Sequence, residues 1–158
     1  MLFRSQQIKT VKPYALEGDP KLRFNWNASL TTSKHHPDRL YVGSQFIHVS
    51  EDRGDSWVKL SPDLTTNDLT KQNQEVSGGL SADNSGAENH CTVFTIAESP
   101  VTDQVIWAGT DDGNVQLTKD GGKTWENVTQ NISGLPANTW CYHIEARDRK
   151  STRLNSSH

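Results

Sequence analysis

The sequence predicts an all-β chain made of four-stranded antiparallel units in series, and three observations carry that prediction. An octapeptide of the form Ser/Thr-x-Asp-x-Gly-x-Ser/Thr-Trp occurs twice, at residues 50–57 and 118–125. Residues 33–43 (SKHHPDRLYVG) lie without gaps on residues 99–109 (SPVTDQVIWAG), and the octapeptides follow both at nearly the same offset. The chain is only 32% apolar yet holds five tryptophans, which suits a thin, repeated core built on aromatics.

The octapeptide is hairpin chemistry. Asp52 and Asp120 cap backbone N–H groups beside Ser50 and Thr118, Gly54 and Gly122 take positive φ, and Trp57 and Trp125 open the return strand. Around it the first unit, residues 28–60, has short β-type runs at 28–32, 39–43, 46–50 and 56–60, separated by turn residues at 33–38 and 44–45. The second unit, residues 93–133, repeats the order with runs at 93–98, 105–109, 115–118 and 124–128, its middle hairpin being Asp111-Asp112-Gly113. A third unit opens within residues 134–147, where Ile144-Glu145-Ala146 matches Ile96-Ala97-Glu98. Residues 6–27 read as the end of a preceding unit and its linker.

Four-stranded units in series are the blades of a β-propeller, so the expected architecture is a partial β-propeller: about two blades plus the start of a third. A sandwich or a β-solenoid fits the repeated octapeptide less well. Between the blades, residues 61–92 are polar, lack period-2 alternation and carry Gly78-Gly79 and Asn84-Ser85-Gly86, which makes a long loop. Loops of that length are either functional or disordered.

Both ends match one short-read sequencing adapter, residues 1–5 in one orientation and residues 148–158 in the other, so the expected natural segment is 6–147 of a longer chain. Without those ends, Lys and Arg fall from 16 to 12 and Asp and Glu from 19 to 18, and the net charge moves from −3 to −6. That balance argues against nucleic acid or an anionic membrane surface as partner, and no run approaches a transmembrane span. Cys91 and Cys141 are too few for a disulfide framework, and the reading is two buried or half-buried thiols.

The octapeptide resembles the Asp box, and with it the chain resembles Asp-box β-propellers: sialidases, xyloglucanase-type glycosidases, sortilin-like receptors and secreted bacterial repeat proteins. Further motifs point to the sortilin-like or glycosyl-hydrolase-like secreted bacterial subgroup: Arg23-Phe24-Asn25-Trp26-Asn27, Ser61-Pro62-Asp63-Leu64-Thr65, Asp83-Asn84-Ser85-Gly86-Ala87-Glu88 and Ala108-Gly109-Thr110-Asp111-Asp112-Gly113-Asn114. The resemblance covers residues 23–147. It implies a propeller in an extracytoplasmic or secreted protein, with the remaining blades of the same chain as packing partners.

Blade geometry separates scaffold from site. The Asp boxes join third and fourth strands on one side, whereas residues 23–27, 44–45, 61–90, 110–114 and 139–142 gather on the other. Ligand-binding candidates on that second face are Arg23, Asn25, Trp26, His90 and Trp140, because tryptophan faces at a channel mouth stack on sugar rings or receive apolar side chains. Trp26 and Trp140 hold matching first-strand positions; the competing reading wedges them between blades, as expected for Trp57 and Trp125. Asp83, Glu88, Asp111 and Asp112 supply carboxylates, although acidic loop residues are ordinarily solvated. Glycoside hydrolysis needs two carboxylates about 5–5.5 Å apart for retention or about 6.5–9.5 Å for inversion. No catalytic set is assigned.

A sialidase cluster would have to use Arg23, Arg39 and Arg53, but Arg53 belongs to an Asp-box turn and the Phe/Tyr-Arg-Ile-Pro motif is missing. His90-Cys91 and Cys141-x-His143 match no metal spacing, so neither metal nor cofactor is expected. His48 is expected to point outward from its strand. Two functions follow: a binding scaffold for a peptide, protein or glycan, and part of a glycoside hydrolase whose carboxylates lie mostly elsewhere.

Overall fold

The computed structural model describes residues 10–73 and 86–148. It is all-β, with two four-stranded antiparallel sheets in meander order and two single 3-10 turns, Leu69–Lys71 and Thr129–Asn131. The first sheet is β1 (Leu30–Thr32), β2 (Leu40–Gly43), β3 (Ile47–Ser50) and β4 (Val58–Lys59). The second is β5 (Val93–Glu98), β6 (Ile106–Thr110), β7 (Val115–Thr118) and β8 (Glu126–Asn127). This is the order of propeller blades. Among the described residues no helix is long and apolar enough to cross a membrane.

The repeat is visible hydrogen bond by hydrogen bond. The Ser33 N–H donates to Arg39 O at 3.0 Å and the Ser99 N–H to Val105 O at 2.9 Å, which is the gapless alignment of residues 33–43 on 99–109 expressed in space. At the far end of each blade, Ser61 Oγ and Thr129 Oγ1 accept the N–H groups of Ile47 (2.8 Å) and Val115 (2.7 Å).

Both octapeptide turns close as their chemistry requires. Asp52 Oδ1 accepts the Ser56 N–H at 2.8 Å and Oδ2 the Ser56 hydroxyl at 2.6 Å, while Asp120 treats Thr124 in the same way at 2.9 and 2.6 Å. Gly54 and Gly122 stand at φ 89° and 95°, where a side chain is strained. Their N–H groups donate to Ser50 Oγ and Thr118 Oγ1. At the fourth position Arg53 holds φ 59° where the second turn has Gly121 at 71°.

One apolar cluster, Tyr41, Ile47, Leu64, Val93, Ile96, Ile106 and Ala108, draws on both sheets and is completed by Val49, Leu60 and Trp125. Each such side chain, once fully buried, contributes about 1.5–3 kcal/mol, so the blades are held face to face. A second cluster joins Val115, Leu117 and Val128 to Val105, Trp107, Cys141 and Ile144. Through it residues 141–144 lie on the second blade, although no ladder forms there among the described residues. Trp125 Nε1 donates to Gly122 O at 3.1 Å, whereas Trp57 Nε1 is buried without a hydrogen-bond partner among the described residues.

His48 corrects an expectation. It is 4% exposed, and its Nε2 lies 2.8 Å from Ser44 Oγ. Period-2 alternation predicts an outward side chain only when one sheet face is wet, and here both faces of β3 are covered. Cys91 is buried, Cys141 is half-buried, and both thiols are free.

Candidate functional site

Opposite the octapeptide turns, the segments before each blade and the middle hairpins converge. The Arg23 N–H donates to Gln45 Oε1 at 2.8 Å, and the Leu64 N–H to Gln45 O at 3.0 Å. Asn114 Nδ2 and Gln116 Nε2 both donate to Leu64 O at 3.0 Å. The Cys141 N–H donates to Thr110 O at 2.9 Å. One continuous face therefore joins residues 23–27, 44–45, 61–66, 86–91, 110–114 and 139–142.

Arg23 is a strut of this face. Its guanidinium pairs with Asp63 at 2.8 Å and donates to Thr65 Oγ1 and to Cys91 O, at 3.1 Å in each case. Asn25 bridges to Glu88, and its side-chain amide donates to Asn89 O at 2.9 Å. Asn89 returns two bonds, to Phe24 O and Gly86 O.

The carboxylates divide. Asp83 lies outside the described residues. Glu88 is exposed. Asp111 and Asp112 are 0% and 2% exposed, against the expectation of solvated loop acids. Asp111 receives the Thr92 N–H (2.7 Å) and hydroxyl (2.9 Å). Asp112 receives the Thr66 N–H (2.7 Å), the Thr66 hydroxyl (2.8 Å) and the Thr110 hydroxyl. Burial holds the Asp111 carboxyl above its usual range, against the pull of the Thr92 donors. These acids strap loop to hairpin. Among the described residues no group of three or more His, Cys, Asp or Glu is placed to hold a metal ion.

What the face presents outward is aromatic. Trp26 is 69% exposed, Trp140 58% and Tyr142 78%. Trp140 is fixed edge-on by Phe94 (ring centroids 5.6 Å apart) and by His90 (6.3 Å), so one of its sides is anchored while more than half of its surface is open. Beside it a groove of about 360 Å³ runs between Val115, Ile132, Leu135 and Tyr142. The His90 ring also lies 3.5 Å from Cys91 Sγ. That thiol is pushed up to about 11, first by burial and then by Asp112. The sequence pointed to the tryptophans but not to Phe94, which packs edge-on against Trp140, or to Asn89, which ties Phe24, Asn25 and Gly86 together; neither residue type carries a motif.

No protein-family model matches this chain, and no curated protein matches it. Among solved structures, an ancestral GH74 enzyme is similar over 68% of this chain and 12% of its own, at 15% identity and a TM-score of 0.39.

Proposed function

We propose that this chain contributes to a binding scaffold, and that its loop-side aromatic face takes a peptide, protein or glycan segment without turning it over. The observation that carries the reading is the contrast on one face between open aromatics and the closed acids of the middle hairpin, with Glu88 an exposed carboxylate beside them. Trp26, Trp140 and Tyr142 are exposed, while Asp111 and Asp112 are buried with their oxygens occupied by Thr66, Thr92 and Thr110. A general acid or base has to reach its substrate, and a buried, fully bonded carboxylate does not. A preorganised aromatic surface binds at low ordering cost.

A glycan array and a peptide library, each probed with the whole chain, test the proposal. Retention of a ligand class by wild type, with loss in Trp26→Ala and Trp140→Ala, supports it. Release of new reducing ends from a retained glycan would instead support the hydrolase alternative.

A further inference from the structure

The two blades carry different chemistry at the places where the next first strand docks. In the first blade, the Ser33 hydroxyl donates to both Glu98 oxygens at 2.9 Å, the Tyr41 hydroxyl donates to Oε1 at 2.8 Å, and the Lys34 N–H donates to Oε2. Glu98 is the last residue of β5, is 2% exposed, and lies across the blade interface from all three donors.

The repeat assigns an equivalent to each member. Tyr41 corresponds to Trp107, Lys34 to Pro100 and Glu98 to Ala146; only Ser33, matched by Ser99, is retained. Where the acid is lost, the phenol becomes an indole and the backbone donor becomes a proline, which has no N–H. Trp107 and Ala146 line one cleft with Val105 and Ile144, at the position where Tyr41 meets Glu98 one blade earlier. The donor set and its acceptor change together.

We propose that these groups form an address at the blade interface: the first blade's edge fits a strand ending in a carboxylate, and the second blade's edge fits a strand ending in a small residue. A carboxylate at position 146 would meet no N–H at Pro100 and an indole N–H in place of the phenolic hydroxyl, and alanine at position 98 would leave the buried Tyr41 hydroxyl with only the Arg39 guanidinium, 3.5 Å away. Each mismatch costs more than either match. Docking β5 and residues 140–147 in exchanged positions is thereby disfavoured, which matters in a chain whose repeats otherwise offer similar surfaces.

The test is a thermal-unfolding cycle on the whole chain. Ala146→Glu is expected to lower Tm by several degrees in the native background, and by clearly less when Trp107→Tyr and Pro100→Lys are present, each measured against its own parent. At the first interface, Tyr41→Phe is expected to lower Tm alone and to lower it by clearly less beside Glu98→Gln or Glu98→Ala. Equal Tm losses for Ala146→Glu in both backgrounds, or additive losses for Tyr41→Phe with the Glu98 variants, would overturn the address. If Glu98→Ala does not fold, the Glu98→Gln arm and the Ala146 cycle still decide it.

Discussion

The Cys141 N–H stands 2.9 Å from Thr110 O, where one blade earlier the Val93 N–H stands 2.7 Å from Ser44 O. Residues 141–144 thus meet the second blade through the contact β5 makes with the first. A glycine makes each approach possible. A Cβ on Gly43 would lie 2.7 Å from Val93 O, and one on Gly109 would lie 2.3 Å from Cys141 Sγ.

The two glycines are expected to respond differently to repair. Gly43→Ala and Gly109→Ala should each cost about 1–3 kcal/mol by overpacking. Cys141→Gly removes the atoms that Gly109→Ala strikes and should restore part of the loss. Val93→Gly should restore less of the Gly43→Ala loss, because there the nearest obstacle is backbone. Urea denaturation of the four single and two double variants checks this.

Acid should weaken the fold in two stages. Burial depresses His48 to about 4 from an unfolded value near 6.5. Its contribution is complete above about pH 6.5 and is lost as pH falls toward 4, by up to about 3 kcal/mol. His48→Gln, which installs the residue found at the equivalent Gln116, should flatten that limb.

The second stage belongs to the Asp boxes. Donors from Ser56 and Thr124 hold Asp52 and Asp120 at about 2. A depressed carboxylate stabilises above its unfolded pKa and loses that contribution as pH falls through the folded one, so this limb lies between about pH 4 and 2. Asp52→Asn and Asp120→Asn should reduce it while leaving the His48 limb intact, as measured by stability against pH.

Thiol chemistry should be slow in the native chain. Burial raises both thiols, Cys91 to about 11 with Asp112 adding to the effect. The thiolate is the reactive form, so a disulfide-exchange reagent at pH 8 should label the folded chain slowly and both cysteines rapidly in denaturant. Rapid native labelling of Cys91 would contradict its placement.

Much of the scaffold was legible because it rests on local chemistry. The Asp boxes name their own hairpins, and residues 93–98 and 115–118 emerge as strands with the bounds read from their β-branched runs. The strands at 56–60 and 124–128 shrink to Val58–Lys59 and Glu126–Asn127, since outer strands pair on one edge only. The site was legible as a set of segments and illegible in its electrostatics. Asp111 and Asp112 read as a wet hairpin tip, and only the long-range donors of Thr92 and Thr66 make their burial affordable. His48 failed for a related reason: alternation cannot report a second covered face.

Ligand affinity on the two faces tests the central reading most directly. Using whichever array ligand wild type retains, titration of Trp140→Ala and Trp26→Ala should show affinity at least about tenfold weaker, with Lys123→Ala on the Asp-box side unchanged. Unchanged affinity in both tryptophan variants, or a loss in Lys123→Ala alone, would contradict a ligand held by the loop-side aromatics.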